Sequence, residues 1–221
     1  MKKIYLEDDL WYIENFLTKA EIDALEPFYN DPKHWYTTMR SPYKNILNKF
    51  PETVPVYDED GILLFPTEKS ELVQHIHKMF AAPGGIWDRL EGVLQPGYGP
   101  NSAFQTFKYC TDEEIERDRD KNGPPVEHID FAMNWHYEDG GASGNRVASH
   151  SIYLNDDFEG GLVEFKLGHI IKPKPGMLVN IPIGEKYMHR VTKVLGPNNR
   201  HTLYGQCWSD TNVPISTRDD C

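Results

Sequence analysis

Short bursts of alternating apolar and polar residues fill the second half of the chain. Segments 129–135, 147–154, 161–165, 169–171, 177–181, 189–194 and 202–208 have strand length and carry many β-branched and aromatic side chains. Turn signals separate them: Asp139-Gly-Gly, Asn155-Asp-Asp, Lys174-Pro-Gly, Ile183-Gly and Gly196-Pro-Asn-Asn. Strands this short and this closely spaced predict a double sheet or a barrel. Upstream, Phe104, Thr106 and Lys108 alternate with Gln105, Phe107 and Tyr109, as in one more strand. The first hundred residues read differently. An aromatic-rich stretch within 3–17 predicts a short strand. Thr18 and Glu21 form a capping-box pattern ahead of Ala20, Ile22, Leu25 and Phe28, which predicts a helix over about 18–29. Helical spacing returns over 70–80 and 86–94, while 30–66 reads as irregular loop. Helices early and strands late give an α+β order, mainly β.

Composition narrows the class. The chain has 221 residues, of which 39% are hydrophobic, enough for one domain with a sizeable core. Its parts are a helical and irregular support over 1–100, a strand-rich core over 101–210 and a tail over 211–221. Asp plus Glu is 34 against 23 Lys plus Arg, a net charge of −11, which disfavours a nucleic-acid partner. Cys110, Cys207 and Cys221 lack the spacing of a disulfide framework or a zinc site, so a reducing compartment is expected. The first residues carry no apolar run of the signal-peptide kind, and no run approaches the roughly 18 residues of a membrane span. The expectation is a cytoplasmic protein without a membrane partner. The charged segment 111–125 reads as a surface insertion or flap, with Glu114 in solvent.

The chemistry begins with His136-Tyr137-Glu138. Residues two apart on a strand share a face, so an imidazole and a carboxylate point the same way. His189, on a later strand, can complete a triangle around a divalent metal. Two His and one carboxylate are the ligand set of non-haem Fe(II) oxygenases. Two other carboxylate choices stand beside it: the pair His128 and Asp130, equally good by pattern, and Asp139, adjacent to Glu138. Arg200 offers a permanently charged fork suited to a carboxylate co-substrate. His150, His169 and His201 lack such a pattern and read as core or strand histidines.

The strings Gly144-Asn-Arg146-Val-Ala-Ser149, Tyr153-Leu-Asn-Asp156-Asp-Phe-Glu-Gly-Gly161, Pro175-Gly176 and His189-Arg-Val191 with Gly196 and Arg200 resemble the 2-oxoglutarate- and Fe(II)-dependent oxygenases. Within these they are most similar to the prolyl 4-hydroxylase-like group. Ile13-Glu-Asn-Phe-Leu-Thr18 resembles that group's N-terminal segment. The resemblance covers roughly residues 104–210 well and the earlier part weakly.

The resemblance implies a double-stranded β-helix, or jelly-roll, flanked by N-terminal helices. It implies metal ligation by His136, Glu138 and His189, with Glu where the family more often has Asp, and it places His128 and Asp130 second by their distance from Arg146 and Tyr153. Arg200 matches the residue that pairs with the distal carboxylate of 2-oxoglutarate. Tyr109 and Tyr153 match tyrosines that hydrogen-bond that co-substrate. Arg146 matches an arginine on the substrate side, and Trp208, on the last strand, is placed to line the pocket. The implied activity is hydroxylation of an unactivated C–H, with O2 and 2-oxoglutarate consumed, succinate and CO2 released, and ascorbate supportive. The expected substrate is a prolyl residue in a peptide or protein. Hydroxylation of a free amino acid or other small molecule, and a non-catalytic jelly-roll binding module, are the competing readings.

Overall fold

The computed structural model describes residues 1–31, 82–96, 98–100, 105–111, 131–139 and 145–209, with short pieces at 36–37, 46–49, 56–57, 63–64, 75–76, 78–80 and 113–114. The most apolar late segments pair at its centre. Strand β10 (Arg146–Tyr153) lies antiparallel between β14 (Leu178–Pro182) and β17 (Arg200–Trp208). On the far side of β14 sits β2 (Trp11–Ile13), which forms a hairpin with β1 (Ile4–Tyr5). On the far side of β17 come β8 (Gln105–Tyr109), β4 (Ile46–Lys49) and β3 (Tyr36–Thr37), and β7 (Gly99–Pro100) also pairs with β17. These make one nine-stranded sheet.

A second sheet has four strands in the order β13 (Ile170–Ile171), β12 (Val163–Phe165), β15 (His189–Thr192) and β9 (Phe131–His136). Strands β11 (Glu159–Gly160) and β16 (Val194–Leu195) pair separately, as do β5 (Val56–Tyr57) and β6 (Leu63–Leu64).

Strand alternation sorts the side chains of the large sheet onto two faces. Ile152, Leu178 and Leu203 face outward and pack with Leu25, Phe28, Ile86 and Leu90. The last four come from α1 (Lys19–Asn30) and α2 (Ile86–Glu91). The other face carries Phe107, Tyr109, Tyr153, Val179, Ile181 and Tyr204, which pack with residues of the small sheet such as Val163, Phe165 and Val191. The molecule is thus mostly β, with antiparallel sheets and a helical layer on one outer face. Among the described residues, no helix is long and apolar enough to cross a membrane.

The capping box at Thr18 is formed, with Thr18 Oγ1 accepting from the Glu21 amide and Glu21 accepting from the Thr18 amide. Residues 75–76 and 78–80 are helical, and Ile76 and Phe80 join the core beneath the large sheet.

The structure differs from the sequence expectation in several places. The single strand expected within 3–17 is a two-stranded hairpin, because residues 6–10 turn and the Leu10 carbonyl accepts from the Leu6 and Glu7 amides. The stretch 30–66, expected to be irregular, contributes β3 to β6, and β4 extends the large sheet beyond β8. The strand expected over 189–194 divides at Lys193. Its carbonyl accepts from the Gly161 amide, and Gly160 (φ +66°) approaches it so closely that a Cβ would lie 2.1 Å from the oxygen. Cys110 and Cys207 are buried, and among the described residues neither forms a disulfide. Glu114 is buried rather than solvated, held by Lys108 and Asn199. The rest of the expected flap, like the 211–221 tail, lies outside the described residues.

Candidate metal centre and the cleft beside it

Strand β9 ends at His136, and the small sheet pairs it directly with the first residue of β15, His189. The two rings lie 4.3 Å apart, centroid to centroid. Glu138 follows His136 by two residues and turns its buried carboxylate to the same place. One ligand atom from each of His136, Glu138 and His189 falls within 4.8 Å of the other two, and among the described residues this is the His/Cys/Asp/Glu group that could hold a metal ion.

The carbonyls around the rings set which nitrogens remain available. His136 Nδ1 donates to the Asn134 carbonyl at 2.7 Å, and His189 Nδ1 donates to the Tyr187 carbonyl at 3.0 Å. Both Nε2 atoms are thereby left as lone-pair donors, since a carbonyl that accepts from Nδ1 fixes the ring's orientation and its tautomer. Burial, and then the neighbouring His136, push His189 down to about 4. It is therefore a neutral imidazole at ordinary pH, the form that coordinates a cation. The donor set, two imidazoles and one carboxylate, suits a divalent first-row metal.

Glu138 has two polar neighbours at one oxygen. The buried Tyr204 hydroxyl donates to Oε2 at 3.0 Å, and an Arg146 guanidinium nitrogen stands 3.7 Å from the same atom. Asp139, the adjacent alternative, points to solvent with a side chain 77% exposed and faces Arg146 at 3.5 Å. The other alternative, His128 with Asp130, lies outside the described residues.

Arg200 opens β17 at the far end of the same strand face. Tyr204 is four residues further on, about 13 Å along an extended strand. Arg200 is 1% exposed. Its guanidinium carbon sits 4.5 Å from the centre of the Tyr109 ring and 4.9 Å from that of Tyr153. One of its nitrogens donates to the Gly161 carbonyl at 3.0 Å. Gly161 (φ +58°) leaves room for this approach, since a Cβ there would lie 3.2 Å from Arg200 Cδ and 2.8 Å from the Phe158 ring. Its positive φ also favours glycine. Burial raises the Tyr153 phenol to about 12, so it is a neutral hydroxyl.

Arg200, Tyr109 and Tyr153 line the same cleft as His136, Glu138 and His189, with Ser149, Ser151 and Tyr204 among them, and the cleft opens to solvent. Among the described residues, Arg200 Nε and Ser149 Oγ are buried there without a hydrogen-bond partner. Buried polar atoms are normally satisfied, so a polar ligand is the natural complement. Arg146 and Trp208 do not line this cleft. Arg146 is buried and turned to two carboxylates, and Trp208, its partner across β10 and β17, is 1% exposed.

Of the remaining histidines, His169 faces Glu7 at 3.0 Å, His201 stacks on Tyr29, and His150 is fully buried between β14 and β17. None joins the cluster. Tyr204 and the two carbonyls that orient the imidazoles were not singled out from the sequence. For Tyr204 the available signal was its even spacing from Arg200 on one strand face.

No protein-family model matches the sequence, and no curated protein matches it. Solved structures do. A prolyl-4-hydroxylase of Pseudomonas putida superposes with a TM-score of 0.54 at 17% identity, over 90% of this chain and 92% of that one. An oxidoreductase of the 2OG-Fe(II) oxygenase family from Burkholderia pseudomallei superposes with a TM-score of 0.50 at 17% identity, over 86% of this chain and 78% of that one. At this identity the likeness is one of fold.

Proposed function

We propose that this chain is a cytoplasmic Fe(II)- and 2-oxoglutarate-dependent dioxygenase, one jelly-roll domain over 1–221, that hydroxylates a prolyl residue in a peptide or protein. The carrying observation is the convergence of His136, Glu138 and His189 in a cleft that also holds a buried, incompletely satisfied arginine. A metal-holding cluster alone fits many proteins. A buried guanidinium beside it asks for an anion, and a dicarboxylic keto acid would offer its distal carboxylate to the arginine and its keto-acid end to the cluster. The fold likeness to a prolyl-4-hydroxylase supports the choice of substrate.

His136 and His189 would hold the ion by Nε2 and Glu138 by a carboxylate oxygen. Iron bound there supplies the oxidising chemistry that protein side chains lack, with ascorbate as a supporting reductant. The remaining steps belong to the chain. Arg200 binds the distal carboxylate of 2-oxoglutarate with charge-assisted bonds. Tyr109 and Tyr153 flank the guanidinium and offer their hydroxyls to the co-substrate. Phe107, Met133, Val163 and Val191 line the cleft and limit water around the reacting groups. Succinate and CO2 leave as co-products. Trp208 is left out of the substrate contacts because it is buried, and Arg146 because it faces Glu138 and Asp139.

The test is incubation with Fe(II), 2-oxoglutarate and ascorbate, offering proline-containing peptides and free proline in parallel. A mass gain of one oxygen on peptide proline is expected. Turnover of free amino acids alone would replace the peptide substrate with a small molecule.

A further inference from the structure

We infer that Tyr204 and Arg146 form a brace that grips Glu138 by Oε2 and reserves Oε1 as the metal-binding atom. Glu138 would thus be a one-oxygen ligand. The inference rests on the reading of Glu138 as a ligand and adds how this chain controls it.

A glutamate has three rotatable side-chain bonds and two equivalent oxygens. Left to itself beside a cation it can offer one oxygen, both, or swing away. Here the choice is made by neighbours that approach one oxygen. The Tyr204 hydroxyl donates to Oε2 at 3.0 Å, and Arg146 places a guanidinium nitrogen 3.7 Å from Oε2. All three residues are buried to about the same degree, 6% exposed each. In such surroundings a polar contact is stronger and leaving it unmade costs more than at a surface.

The brace is itself fixed. The Tyr204 ring stacks on Phe107 at 4.9 Å with 17° between planes, which sets the direction of its hydroxyl. Tyr204 lies opposite Ser151 and Gln105 in the interior of the large sheet, so its backbone is held on both sides. Arg146 begins β10, and Asp139, 3.5 Å from the same guanidinium nitrogen, anchors it from the solvent side. Tyr204 is therefore a positioning residue acting through Glu138, with Arg146 as its partner.

The test uses the full chain, stripped of metal with a chelator and titrated with Co(II), whose visible absorption reports coordination. Tyr204→Phe keeps the ring and removes the hydroxyl. It is expected to fold but melt a few degrees below wild type without metal, because a buried carboxylate oxygen loses its donor, to bind Co(II) about 10–100-fold more weakly, and to show a changed spectrum. In a Glu138→Asp background, where the shorter carboxylate cannot meet the brace, Tyr204→Phe is expected to have no further effect. Unchanged affinity and spectrum in Tyr204→Phe would overturn the brace and leave the metal centre standing. An equal loss in both backgrounds would also overturn it, because Tyr204 would then act by packing. If wild type takes up no Co(II), the ligand reading fails and the brace with it. Should Tyr204→Phe not fold, Arg146→Met, read by the same criteria, decides.

Discussion

Replacing Arg200 by Met separates ligand recognition from fold stability, and the structure gives the size of each. In the protein without ligand, Arg200 is 1% exposed and makes one charged hydrogen bond to the Gly161 carbonyl. Such a bond is worth about 1.5–3 kcal/mol. The Tyr109 and Tyr153 rings add cation–π attraction of about 0.5–2 kcal/mol each. Against these stands the cost of burying a guanidinium, several kcal/mol after relaxation. The terms nearly cancel, so an apolar side chain of similar length is expected to leave the melting temperature within a few degrees of wild type. Binding behaves differently. Loss of a buried partner for a carboxylate costs about 2–5 kcal/mol, or roughly 30-fold to several thousand-fold in affinity. The assay is calorimetric titration of the Mn(II)-loaded protein, without O2, with 2-oxoglutarate and with 2-oxovalerate, which keeps the keto-acid end and lacks the distal carboxylate. Wild type is expected to prefer 2-oxoglutarate strongly, and Arg200→Met to lose that preference while 2-oxovalerate affinity changes little. A variant that still discriminates between the two acids would refute the assignment of Arg200.

Other outcomes follow from the same geometry. His189→Ala leaves two donors and is expected to abolish tight Co(II) or Fe(II) binding in a titration of the stripped protein, while the same substitution at His169, which faces Glu7, is expected to leave it intact. Burial holds His150 down to about 4 from an unfolded value of about 6.5. Its neutral form favours folding, so that stability is complete above pH 6.5 and is lost as pH falls through 4. The loss is about 3 kcal/mol from this residue, and denaturant melts of His150→Leu across that range should show a correspondingly shallower decline. Thr18→Ala removes the hydroxyl half of the capping box, leaves the residue-18 amide on Glu21, and is expected to cost about 0.5–2 kcal/mol in a urea melt.

Much of the late architecture was readable because β-branched and aromatic runs are cut by clear turn signals and residues two apart share a strand face. The stretch 147–154 folds as β10 (Arg146–Tyr153) and 202–208 as part of β17 (Arg200–Trp208), central strands that are covered on both faces and bury most of their residues. The grouping of His136 with Glu138 was legible for the same reason, from the two-residue repeat. Its approach to His189 was a matter of order along the chain until the register of β9 against β15 placed the two side by side. Pairing across strands is where reading one sequence stopped. Tyr204 reaches Glu138 from another sheet, and no local pattern in β17 names its partner. Arg146 was expected to face substrate because its neighbours in sequence resembled a family string, yet its guanidinium lies beside Glu138 and Asp139. Glu114 looked like one acid in a charged run, but Lys108 and Asn199, the latter distant in sequence, draw it inward. The short strands within 30–66 escaped notice because β4 finds its place by pairing with β8 rather than by a strong alternation of its own.

The central claim is that His136, Glu138, His189 and Arg200 together consume 2-oxoglutarate. The most direct measurement is the release of CO2 and succinate from carboxyl-labelled 2-oxoglutarate by the protein with Fe(II), ascorbate and O2, with a peptide pool present. The account predicts equal amounts of the two products, dependence on Fe(II), and none from His136→Ala. A protein that binds Fe(II) and 2-oxoglutarate yet releases neither product, or a His136→Ala variant with full activity, would contradict it.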